Sequence, residues 1–136
     1  MTSITNQTIA ERADFAVGVA PQNIGTDDVD GAGFVDMQGV NRVAAIATTE
    51  AVAAADATVT VTLLQSDAAD GTGATVLGEA VTVTAQAIGD TLLALVEAKA
   101  SDLATGNRYV GARVGASESG LLGSVVLTQA DQSYRS

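Results

Sequence analysis

The sequence predicts an all-β domain, an antiparallel β-sandwich or jelly-roll-like fold with a flexible N-terminal arm. Two observations carry this. Several segments alternate apolar and polar residues with period two, and turn signals separate them at regular intervals. The best-defined stretch is Asp102–Val114, where a turn at Gly106-Asn107 releases a strand with Val110, Ala112 and Val114 on one face. This stretch is expected to be a centre strand.

The chain has 136 residues, enough for one domain that buries its own core without a staple. The expected division is an arm over 1–13, a sandwich over 14–128 and a tail over 129–136. Within the arm, Thr8-Ile9-Ala10-Glu11 fits a capping box, so a short helix or an extended arm is expected there. Asp14–Val19 alternates, with Phe15, Val17 and Val19 sharing a face, and Pro21 is expected to end that strand. Residues 22–33 read as an acidic, glycine-rich loop. Within it, Asp28-Val29-Asp30-Gly31 carries a fragment of the calcium-loop pattern but lacks the closing Glu.

Phe34–Gln38 reads as a strand, and Arg42–Thr48 as a central strand because both of its faces are apolar. Residues 50–55 are Ala-rich and read as a helical turn or a loose loop. Thr58–Leu63 has the clearest alternation, with Val59, Val61 and Leu63 facing one way and three threonines the other. Asp70-Gly71 signals a turn. Two short strands are expected after it, over 74–78 and 79–84, with Val81 and Val83 inward. Residues 88–100 carry both a helical and a strand pattern, and the β surroundings favour a strand. Leu103, Gly106 and Tyr109 resemble a tyrosine corner, but the alternation places Tyr109 with Gly111 and Arg113. Residues 115–120 read as a hairpin loop, and Leu122–Thr128 as the last strand. No internal repeat is present.

Composition excludes several chemistries. The chain has no Cys and no His, so disulfides, thiolate metal sites and Ser-His-Asp or Cys-His catalysis are impossible. Sixteen acids against six bases give a net charge of −10, which argues against binding a nucleic-acid backbone. Asp27, Asp28 and Asp30, and Asp67 with Asp70, are the carboxylate clusters. A glycosidase would also need a cleft, usually aromatic-lined, and aromatic residues are 3% of the chain. No nucleotide-binding glycine loop occurs. The expectation is a non-enzyme without catalytic residues, cofactor or metal. Tyr109 and Arg113 belong to residue types enriched at interfaces and share one strand face, so they are the candidate subunit contact. The N-terminus lacks a basic and an apolar signal region, and no run is long enough to span a membrane. A cytoplasmic product with no membrane partner is therefore expected.

The chain resembles tailed-bacteriophage structural proteins. The resemblance lies in the polar start, in Thr58-Val59-Thr60-Val61-Thr62-Leu63-Leu64-Gln65-Ser66-Asp67, and in Asn107-Arg108-Tyr109-Val110 before a final hydrophobic strand. It is most similar to capsid cement, or decoration, proteins. It implies a virion protein made in the host cytoplasm that sits on the outer capsid surface as a homo-oligomer, a trimer being favoured. Such a protein binds the major capsid protein and clamps neighbouring subunits of the shell. A tail or head–tail component, or a surface β-sandwich module that binds glycan or protein, is the alternative.

Overall fold

The computed structural model describes residues 13–132. Among these residues nine strands form two antiparallel sheets packed face to face: β1 (Ala13–Asn23), β2 (Val29–Asp30), β3 (Val35–Asp36), β4 (Val40–Thr49), β5 (Thr58–Ser66), β6 (Thr75–Thr84), β7 (Leu93–Lys99), β8 (Tyr109–Ala116) and β9 (Leu122–Gln132). The first sheet has the order β1-β9-β4-β7. The second has the order β2-β8-β5-β6, and β3 also pairs with β8. The chain is an all-β sandwich. The expected N-terminal arm lies outside the described residues, except Ala13, which opens β1.

The core follows from the alternation. Val59, Val61 and Leu63 of β5 and Val110, Ala112 and Val114 of β8 are all fully buried, facing Val43, Ala45 and Ala47 of β4 and Val125 and Leu127 of β9. These side chains are small, so stability is spread over many thin contacts rather than a few large ones. As expected, β8 is an interior strand and so is β4. Residues 93–99 form a strand, with Leu92, Ala94 and Val96 turned to the core.

Several boundaries differ from expectation, each for a local physical reason. β1 runs on through Pro21. It is an edge strand, where a missing N–H costs no ladder bond, and its register with β9 shifts between Val19 and Gln22. The two strands expected over 74–84 are one, interrupted opposite Thr62 by a bulge at Gly78-Glu79-Ala80. Gly78 takes φ +74 there, which glycine adopts without a Cβ penalty. This bulge also blunts the outer edge of the second sheet. Residues 115–120, expected as a hairpin loop, are not one: β8 runs on to Ala116, and β8 and β9 lie in different sheets. β9 continues past 128 to Gln132, and Gln129 is buried, donating from Nε2 to the Asp36 carbonyl at 2.6 Å. The stretch expected as loop over 22–33 contains β2. It also contains Ile24, fully buried and tied in by Ile24 N–H to Leu121 O at 2.8 Å and Ala116 N–H to Ile24 O at 2.9 Å. An isolated Ile between polar residues has no period to announce it.

One side of the sandwich is closed by backbone rather than by side chains. Between their pairings with β8, β2 and β3 carry four residues, Gly31–Phe34, opposite Gly111 and Ala112. Gly31 N–H donates to Ala112 O at 2.8 Å, and Gly33 N–H to Gly18 O of β1 at 3.4 Å. A Cβ on Gly31 would collide with the Gly18 carbonyl oxygen, and one on Gly33 with that of Val17. The colliding partners are backbone, which cannot swing aside. Gly31→Ala is therefore expected to cost about 1–3 kcal/mol through overpacking, a fall in Tm on the order of 5–10 °C. Ser119→Ala, in an exposed turn, should leave Tm within about 1 °C. Thermal unfolding followed by circular dichroism measures both.

Candidate functional site

The outward face of β8 holds the two residues singled out from the sequence. Tyr109, Gly111 and Arg113 do share that face, with Tyr109 and Arg113 half-buried. The Arg113 guanidinium is engaged within the chain: Nε donates to Asp30 Oδ1 at 2.6 Å and Nη2 to Asp30 Oδ2 at 3.2 Å. A second fork lies beside it. Arg108 Nε donates to Asp36 Oδ1 at 2.7 Å and Nη2 to Oδ2 at 2.6 Å. The Arg108 Cζ sits 5.4 Å from the centre of the Tyr109 ring, within cation–π range. Tyr109 faces away from the core, so no tyrosine corner forms. Between the forks Phe34 lies over Gly111, where a Cβ would come within 2.6 Å of its Cζ. Leu64, paired with Gly111, is buried on this same outer side. This face is thus covered by the chain's own residues 28–36.

Several other acids tie down backbone. Asp70 accepts from Thr72 N–H and Oγ1–H, Asp90 from the N–H groups of Gln86 and Ala87, and Glu118 from those of Ala53 and Ala54. Among the described residues, no group of three acids converges in a metal-binding arrangement. Asp30, part of the calcium-like fragment, is in the fork with Arg113.

The outward face of the first sheet is different, and reading the sequence did not find it. Register aligns Val17 with Val126, Val126 with Ile46, and Ile46 with Leu95. An unbroken apolar row therefore crosses all four strands on the solvent side. Phe15 and Leu93 flank it in adjacent rows, and Leu122 lies beyond. Phe15, Val17 and Leu93 are 55%, 59% and 60% exposed. Phe15 and Val17 were expected to share one face with Val19. A register shift between Val17 and Val19 separates them. Val19 enters the core while its two predecessors turn to solvent, as an extra residue in one strand must cause. The signals in the sequence were the double apolar faces of 42–48 and 92–96, which also fit a fully covered strand.

Strand spacing and rise give the face an extent of about 500 Å2, four strands wide and nine residues long. The apolar row with Phe15 and Leu93 occupies the middle of this face, and Thr48, Ser124 and Thr128 fill the rows beside it. Charges stand at its two ends. Arg42 and Lys99 are cross-strand partners at one end, with Glu97 and Asp102 nearby. Glu50 lies at the other, its Oε2 accepting Leu122 N–H at 2.7 Å. Within the face the Thr48 and Ser124 hydroxyls lie 3.3 Å apart, in hydrogen-bond contact.

No family model matches the chain, and no curated protein matches it.

The forks make the acid limb of stability testable. The hydrogen bonds from Arg108 hold the Asp36 carboxyl below its ordinary value of 3.8. A carboxyl depressed on folding stabilises the protein above that ordinary value, and the gain is lost as pH falls through the lower, folded-state value. Both side chains are substantially exposed, at 49% and 41%, so water screens the pair and the effect is modest. Asp36→Asn is expected to lower Tm slightly at neutral pH and to flatten its decline below about pH 4. Melting curves between about pH 6 and 2 check this, and parallel declines for variant and parent would contradict it.

Proposed function

We propose that this chain is a non-enzymatic virion structural protein of a tailed bacteriophage, most like a capsid decoration protein. It attaches to the outer surface of the shell, contacts the major capsid protein and steadies neighbouring capsid subunits. The single observation that carries this reading is the exposed row Val17–Val126–Ile46–Leu95 with its flanking Phe15 and Leu93. Water-exposed apolar rows of this length are costly unless an assembly covers them.

Other features support the same reading. A net charge of −10 suits a surface turned away from packaged DNA. Two of the arginines that could grip phosphate are held in carboxylate forks. The absence of Trp and the scarcity of other aromatics disfavour a glycan platform, on which sugars stack against rings.

The test is co-sedimentation with purified shells of the phage whose genome encodes the chain. The parent protein should pellet with shells and raise their thermal resistance. Val126→Glu, a charge in the middle of the row, should weaken shell binding on the order of tenfold or more, since burying an unpaired carboxylate is costly. Ser119→Ala should bind like the parent. Failure of the parent to bind at micromolar concentration, with the chain also missing from virions, would defeat the proposal.

A further inference from the structure

We infer that the outward face of the first sheet is covered by a second copy of the same chain, stacked across a two-fold axis that runs along the Val17–Val126–Ile46–Leu95 row. This rests on the reading of that face as an assembly interface: the second copy covers it in the free chain, and the shell takes that copy's place on docking.

The pattern of outward residues on the central strand is the basis. Along β4 they are Arg42, Ala44, Ile46, Thr48 and Glu50, a cation and an anion equidistant from Ile46. Along β9 they are Leu122, Ser124, Val126, Thr128 and Ala130, with Val126 at the middle. Ile46 and Val126 are register partners, so both midpoints lie on one line across the sheet. A two-fold axis along that line reverses strand direction between the copies. It sets Ile46 and Val126 against their own counterparts and Arg42 of each copy against Glu50 of the other. Small side chains meet in the intervening rows, Thr128 facing Ser124 and Ala44 facing Thr48. On the edge strand β7 the same operation sets Glu97 of one copy against Leu93 of the other, at the open rim where the carboxylate keeps its water. An isologous contact requires this self-complementarity, and a two-fold axis running along β4 instead would set Arg42 against Arg42.

Charge and area point the same way. Two chains of charge −10 repel over most of their surfaces, and this face is where the described apolar groups are concentrated and where opposite charges align. About 500 Å2 per copy places the contact near the lower limit for specific association. A concentration-dependent dimer is the expected result, whereas the phage resemblance implies trimers.

Sedimentation equilibrium of the intact chain decides it. At tens of micromolar the mass should approach twice the 13.5 kDa chain mass. Arg42→Glu or Glu50→Arg alone should each weaken the dimer roughly tenfold, because each reversal acts at two symmetric contacts. The double variant Arg42→Glu/Glu50→Arg should recover parental association. Ile46→Glu, which sets two carboxylates together on the axis, should leave monomers. Circular dichroism confirms folding of each variant, which matters for Glu50 because it also accepts Leu122 N–H. A monomer at every concentration, a three-chain mass, or no recovery in the folded double variant overturns the inference. Shell binding is read separately. A monomer that still binds shells in a Val126-dependent way overturns the dimer and leaves the proposed function standing. A dimer that ignores shells does the reverse.

Discussion

The backbone seam between β1 and the β2–β3 segment is the constraint on which the rest depends. Gly31 and Gly33 approach the carbonyls of Gly18 and Val17 so closely that no side chain fits between them. The contact joins an edge of one sheet to an edge of the other. It also coincides with the register shift between Val17 and Val19. Val19 can therefore fill the core beside the seam while Val17 and Phe15 turn outward. A feature that closes the sandwich thus also assembles the apolar row on its surface.

The two sheets use their outer faces in opposite ways. The second sheet covers its own. Asp30 and Asp36 reach from the short edge strands to Arg113 and Arg108, and Phe34 lies on Gly111. The ion pairs are exposed and individually weak, but each is bidentate and fixes the register of a two-residue strand that has little other hold. The first sheet leaves Ile46, Val126, Leu95 and their neighbours open to solvent. An Ala/Val core gives little energy per contact, so stability shared with a partner across that face is consistent with the composition.

Much of the fold was legible in the sequence because alternation is a local property. Val59/Val61/Leu63 and Val110/Ala112/Val114 announce their buried faces within six residues each. Tyr109 and Arg113 were correctly placed on one face by the same rule, yet their partners were invisible: Asp30 is 83 residues from Arg113. Ile24 escaped notice because a single buried residue has no period. Phe15 and Val17 were misplaced because a bulge inverts the faces without altering the composition around it.

The sequence by itself determined the all-β class, the inward faces of the central strands, and the lack of thiol and imidazole chemistry, since these depend on residue type and short-range spacing. Only the tertiary structure decided which outer face is covered by its own chain and which stands open. That choice rests on the order of strands in the sheets, on the seam at Gly31 and Gly33, and on a register that brings Val17, Val126, Ile46 and Leu95 into one row. These four residues are scattered over most of the chain. Strand pairing across long separations aligns them, and no local pattern encodes it.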